Sequence, residues 1–276
     1  MATRQLPMVG GHAPGFGATF RSDAWWITPA LTVLVLSSFL AYATWAMLQG
    51  NHYYTAPYLS PLYEPLLWVK SDVAGAAPLD HSWLGEWPTW WPALLPASPA
   101  FLILPFPGSF RFTCYYYRKA YYRAFAASPP ACSVGPGAAG REYRGETALL
   151  VFQNLHRYAL YFAILYIPIL YYGAFNAFFK NGEFGFGVGT IVLLVNATLL
   201  AGYTFGCHSF RHLIGGHDDC MSCGRSSLKY GAWRRASWLN ARHALFAWIS
   251  LFVVALSDVY VRLVSMGVIH DFNTWS

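Results

Sequence analysis

Charge is what this chain has least of. Asp, Glu, Lys and Arg together make up 11% of its 276 residues, where an average soluble domain carries about 25%. That scarcity, beside 56% hydrophobic and 18% aromatic residues, excludes an ordinary water-soluble globule and implies a polytopic membrane protein. Acidic side chains are scarcest, 12 against 18 Lys and Arg. The net charge of +6 is not spread as a nucleic-acid surface would be. Seven basic residues fall between Arg111 and Arg157 and six between Arg211 and Arg242. The stretches assigned to the other side of the membrane hold Lys70, Lys180 and Arg262. This is the positive-inside asymmetry, so both basic regions are expected in the cytoplasm and no nucleic-acid partner is expected.

Cysteine is sparse as well. Cys114, Cys132, Cys207, Cys220 and Cys223 all lie in or beside the basic regions, which argues against an exported disulfide framework and leaves ligand or thiol roles. No small-residue cleavage site follows the first apolar core, so no removable signal peptide is expected. There is no internal repeat, no low-complexity tract and no matched pair of Gly/Pro-broken spans, which weakens an inverted-repeat transporter. The Cys-x-His and Cys-x-x-His pattern of soluble Rieske proteins is also missing.

What is present is a succession of apolar runs. They predict an all-α membrane helix bundle, a single domain over 1–276, with five transmembrane helices at about 25–48, 98–126, 149–175, 186–213 and 237–264. Trp25 and Trp26 anchor the first at the interface. The second is expected as one kinked helix, because Pro105 and Pro107 interrupt it. It would carry Arg111 into the bilayer, where a charge needs a partner or a wet cavity. Residues 50–97 read as a compact outer loop, and Asn181-Gly182-Glu183 as a short outer turn. The result is a multi-pass cell-membrane protein in contact with lipid, its N-terminus cytoplasmic and its C-terminus outside.

The chemistry gathers around Tyr203-Thr-Phe-Gly-Cys207-His208-Ser-Phe-Arg211-His212. His208 and His212, four apart, share a face if the run is helical. With this topology Cys114, His156, Cys207, His208, His212 and His243 fall at one depth near the cytoplasmic ends of four spans. Cys132 follows in the loop. Imidazoles inside a bundle are costly and usually functional, and imidazole with thiolate suits a redox metal. Two centres answer. A b-type haem takes two His; a Rieske-type [2Fe–2S] cluster takes two His on one iron and two Cys on the other. The second uses the cysteines and is the preferred reading. Cys220-x-x-Cys223 reads as a pair of loop thiols, with half a zinc site as the sharper alternative. Asp258 and Arg262, four apart, read as a helix ion pair at the interface.

Several stretches resemble the membrane-anchor, cytochrome b-like subunit of actinobacterial, mycobacterial-type succinate dehydrogenases. They are Cys114-Tyr-Tyr-Tyr-Arg-Lys-Ala-Tyr-Tyr-Arg123, Ser128-Pro-Pro-Ala-Cys132, Asn154-Leu-His156-Arg-Tyr158, Cys207-His208-Ser with Arg211-His212, and Leu239-Asn-Ala-Arg-His243. The resemblance covers roughly residues 100–265. It implies a five-span anchor of the respiratory chain and tricarboxylic acid cycle that docks a flavoprotein subunit and an iron–sulfur subunit. It also implies menaquinone as electron acceptor and a membrane Rieske-type cluster. Two stacked haems would need axial His at two depths, and these four lie at one. The succinate-oxidising site would belong to the partners. Quinone reduction needs hydrogen-bond donors at the carbonyl oxygens, for which Arg157, Trp238 and Arg242, flanking the ligands, are the candidates. The competing reading is a cofactor-free anchor or transporter-like protein with a His/Arg-lined path.

Overall fold

The computed structural model describes residues 17–135, 147–220 and 227–275. The chain divides into two compact units, Met1–Ser37 with Cys114–Asn154, and Ser38–Thr113 with Leu155–Ser276. Helices dominate. Among the described residues four are long and apolar enough to cross a membrane, Ile27–Gln49, Gln153–Asn176, Val188–Phe205 and His243–Ser265. The first, α1, has 23 residues and spans roughly 35 Å at 1.5 Å per residue. Its outward leucines, among them Leu31, Leu34 and Leu40, stay exposed, as a lipid-facing surface requires.

The region expected as one kinked helix is broken. It forms α2 (Pro99–Ile103), α3 (Pro105–Phe112), α4 (Tyr115–Lys119) and a π-helical turn, Ala120–Phe125. Pro105 starts α3 at a position where its missing N–H is harmless. Cys114 is extended, at φ −60° and ψ 129°, and separates α3 from α4. The long apolar helices therefore number four among the described residues rather than five.

The expected span 186–213 also breaks. After α5 (Thr147–Asn176), α6 runs Val188–Phe205 and α7 runs His208–Gly215, with Cys207 extended between them at φ −65° and ψ 142°. The Asn240 side chain donates from Nδ2 to the Gly206 carbonyl at 2.9 Å, satisfying one of the carbonyls that a helix end leaves open. Much of the loop expected at 214–236 is helix, since α8 covers Ser227–Ala241. A turn at Arg242 precedes α9 (His243–Ser265), so His243 opens that helix, where the expected span 237–264 began earlier.

The first unit holds the early part of α1, α4 and the π-turn. The Arg21–Asp23 ion pair sits beside a donation from Arg21 Nη1 to the Cys132 carbonyl at 2.9 Å. Thr19 and Gly135 add bonds to Ser133 and Ala18, so the entry to α1 is stapled to residues 132–135.

The second unit is built on α6 packed against α9. Small residues allow close approach. Gly189, Ala197, Ala201 and Gly202 are buried on α6, and Ala247, Ser250 and Ser257 on α9. A Cβ at Gly202 would lie 2.4 Å from the Phe246 ring, so glycine there sets the spacing. The loop 50–97 is compact, as expected. It carries the hairpin β1 (Tyr54–Thr55) and β2 (Tyr58–Leu59). Tyr53 stacks on Tyr63 at 4.4 Å, and the Tyr63 hydroxyl donates to the Ala46 carbonyl at 2.5 Å. The short turn at Asn181-Gly182 closes a second hairpin, β3 (Phe179–Lys180) with β4 (Glu183–Phe184). Both turn residues have positive φ, 52° and 83°, the signature of an Asn-Gly hairpin turn.

The Asp258–Arg262 pair forms, as its spacing predicts, and it is buried inside the second unit. The two residues are 0% and 3% exposed, and Nε stands 2.7 Å from Oδ2. Asp258 also accepts from Tyr42 at 2.5 Å and from Ser60. Arg262 donates to the carbonyls of Asn51 (2.9 Å) and Ala46 (3.3 Å) and to the Tyr63 hydroxyl (3.2 Å). Burying a charge is tolerable only with such partners.

Candidate functional site

In the second unit, residues from α3, α5, α6 and α9 converge on two buried side chains. His156, on α5, is 3% exposed and Cys207, in the break after α6, is 2% exposed. Thr113 at the end of α3 donates its hydroxyl to the Ser109 carbonyl at 2.7 Å. Its oxygen is then left to accept, and His156 Nδ1 lies 3.0 Å away. That arrangement puts the ring proton on Nδ1 and leaves the Nε2 lone pair facing Cys207 Sγ at 2.9 Å. A metal-binding histidine is oriented in the same way, donating its second ring nitrogen to a fixed partner.

Aromatic rings wall this pair. Phe110 stacks on His156 with centroids 4.6 Å apart, and Tyr203 stacks on His243 at 4.9 Å. Phe110 and Tyr203 meet edge to face at 5.5 Å. Two histidines are thereby joined through two rings. Arg111, flagged in the sequence as needing a partner, donates to the Ala247 carbonyl at 2.8 Å and to Ser250 Oγ at 2.9 Å. Its guanidinium carbon lies 4.5 Å from the centre of the Tyr203 ring.

The other sequence candidates are placed differently. His208 and His212 do share α7, but both are exposed, and the His212 ring meets His217 at 5.7 Å. Cys114 is buried and belongs to the first unit. Cys132, in that unit too, is exposed, with its sulfur 3.7 Å from both terminal nitrogens of Arg123. The hydrogen bond and charge of Arg123 hold this thiol below its ordinary pKa. Trp238 and Arg242 are exposed and stacked, 4.1 Å from guanidinium to ring centre. Arg157 is exposed on α5. Cys220 is disulfide-bonded, and Cys223 lies outside the described residues.

The buried nitrogen and sulfur donors suit an imidazole- and thiolate-ligated iron centre in type. Among the described residues, however, no group of three or more His, Cys, Asp or Glu is arranged to hold a metal ion. The geometry assembles one such pair and not a four-ligand set. Sequence reading missed Thr113, Phe110 and Tyr203 as neighbours of the pair. Their only signal was position, Thr113 directly before Cys114 and Tyr203 four residues before Cys207.

The model of the family described as actinobacterial succinate dehydrogenase subunit SdhC matches residues 27–267. The chain belongs to this family. The SdhC match runs from the start of α1 to just beyond α9, so it takes in every candidate residue named above. One solved structure, the Mycobacterium smegmatis Sdh1 complex in the apo form, contains a similar chain. The two are 40% identical, with a TM-score of 0.81 and 94% of each chain covered. No curated protein matches the chain. A membrane subunit of a succinate dehydrogenase is thus what the four apolar helices and the family together establish.

Proposed function

We propose that this SdhC-family chain is the quinone-reducing membrane anchor of a succinate:menaquinone oxidoreductase. It docks the flavoprotein and iron–sulfur subunits and passes their electrons to quinone. The observation that supports an electron-carrying role is the His156–Cys207 contact. Both groups are buried, and the Thr113 bond leaves the Nε2 lone pair directed at sulfur. A Rieske-type [2Fe–2S] cluster held by His and Cys of this chain would supply one-electron transfer, with a b-type haem as the alternative. His156 and Cys207 head the ligand set read from the sequence. His243, in the same unit, is the second imidazole proposed for it, and the exposed His208 and His212 stand outside it. Thr113 fixes the imidazole tautomer, and Phe110 and Tyr203 exclude water from the pair. Arg157, Trp238 and Arg242, all exposed, are proposed as contacts for quinone at the lipid boundary.

Optical and low-temperature EPR spectroscopy of the purified complex tests this reading. His156→Ala and Cys207→Ser should each abolish the centre's signal, whereas His208→Ala and His212→Ala should leave it. A signal unchanged in both of the first two removes the proposed centre. A Soret band retained in Cys207→Ser puts haem in place of the cluster.

The five passes and the cytoplasmic N-terminus are part of the same proposal. The broken stretch 99–125 would serve as the second pass, and the Lys/Arg asymmetry supports the orientation. Cys132 supplies a native probe, because an exposed thiol held toward thiolate reacts readily. A membrane-impermeant maleimide should label it in inside-out vesicles and not in intact cells. Efficient labelling of intact cells reverses the orientation.

A further inference from the structure

The loop 50–97 changes character along its length. Its charged residues, Glu64, Lys70, Asp72, Asp80 and Glu86, all come before Trp87, and none follows until Arg111. The loop therefore runs without a charge into α2 and α3, the stretch proposed as the second pass. It also holds five of the chain's 12 tryptophans, a residue enriched where protein crosses the boundary between lipid and water.

Four of the five form a closed circuit of rings. Trp68 meets Trp87 at 6.1 Å and Trp90 at 6.3 Å, and Trp91 meets Trp87 at 5.2 Å and Trp90 at 6.1 Å. The backbone holds the circuit in place. The Trp87 N–H donates to the Val69 carbonyl at 2.7 Å, and the Val69 N–H to the Gly85 carbonyl at 3.0 Å. Val69 itself belongs to the buried core of the second unit. Trp91 Nε1 donates to the Leu95 carbonyl at 3.2 Å. The inner side of the loop is thus packed, yet its outer side leaves apolar groups uncovered, with Trp90 70% and Leu94 94% exposed. Large apolar groups held out by a fixed backbone mark an interaction surface.

What covers this surface follows from where the loop is tied. α1 enters it at Gln49 and α2 leaves it at Pro99, so both ends stand at the membrane surface. The flavoprotein and iron–sulfur subunits are proposed on the basic side, at the other ends of these passes. Lipid is the apolar phase that remains. Trp45 and Leu48, exposed on α1 directly before the loop, already face it.

Resting on the second-pass reading above, we propose that residues 87–96 form a wedge seated at the boundary between headgroups and acyl chains, with Trp90 and Leu94 inserted in the bilayer. The partner is the phospholipid bilayer itself. Asp72 and Asp80, both well exposed, stay in water. Since the loop's exposed charge is mainly acidic, apolar burial holds the wedge, and attraction to anionic headgroups does not.

Fluorescence quenching of the assembled complex in bilayers tests the wedge. Bimane is attached to one introduced cysteine at a time in a Cys132→Ser background, with the background protein labelled in parallel as the blank. The label at Leu94→Cys should lose at least half its fluorescence when the phosphatidylcholine carries dibrominated chains, and should be insensitive to aqueous iodide. Asp72→Cys, in the charged half of the loop, should show the reverse. Quenching of Leu94→Cys by iodide alone overturns the wedge. Quenching by neither also overturns it, because a protein surface, such as a second copy of the chain, then covers Leu94. Phe106→Cys, at a half-buried position of α3, reports the second pass separately. If bromolipid quenches it but not Leu94→Cys, the wedge fails and the pass stands. If bromolipid quenches neither, the pass fails with the wedge.

Discussion

Arg262→Met should destabilise the protein by about 3–5 kcal/mol, the usual cost of stranding one member of a buried ion pair. Asp258 would keep its hydroxyl donors Tyr42 and Ser60 but lose the only positive charge bonded to it among the described residues. The carbonyls of Ala46 and Asn51 would lose a donor at the same time. Replacing both charges, Asp258→Leu with Arg262→Met, should recover much of the loss, since an apolar pair of similar volume carries no desolvation penalty. Thermal unfolding of the purified complex, followed by light scattering, measures all three. An Arg262→Met transition at the wild-type temperature would show that the pair contributes nothing.

A second large effect concerns Glu64 in the loop. It is 7% exposed, and a Cβ at Gly173 on α5 would stand 2.0 Å from its Oε1. The carboxyl thus occupies the space that a side chain would take, and only glycine fits opposite it. Burial pushes its pKa up from 4.5 to about 8, against a smaller opposing hydrogen bond from the Gly173 backbone. The folded chain therefore binds more protons here than the unfolded chain between those two values. Stability is fullest below the unfolded pKa and falls as pH rises through the window toward 8. At about 1.4 kcal/mol per unit, the loss is on the order of 4–5 kcal/mol. Glu64→Gln keeps the shape, removes the charge and should flatten this slope. Transition temperatures measured from acid to mildly alkaline pH decide it, and parallel curves for wild type and variant would refute the assignment.

The apolar runs made α1 and α5 legible, because a stretch of twenty or more uncharged residues has few other fates. The breaks were not legible. The run through Tyr203 to Phe205 continues apolar into Gly206, and at its interruption Asn240, from another helix, donates to the Gly206 carbonyl. The pair Asp258 and Arg262 could be read from its spacing, but its burial could not. That burial comes from Tyr42 and Ser60, about 200 positions earlier. At the candidate site, His156 and Cys207 were legible as residue types. Their contact was not, because it depends on Cys207 leaving the helix expected over 186–213. For His208 and His212 the shared face was right, yet α7 turns it to the exterior.

The buried ion pair also bears on how the chain is inserted during synthesis. Translation produces α1 and the loop 50–97 long before α9. When α9 reaches the bilayer, Tyr42, Ser60 and the carbonyls of Ala46 and Asn51 already exist as a polar socket. A lone Asp or Arg costs up to about 2.5–3.5 kcal/mol to insert at a helix centre and less toward the end of α9, where these two lie. These two sit one turn apart and enter together as a neutral unit. Their socket accepts them at one depth and one rotation, so it acts as a key that indexes the last long helix against the first.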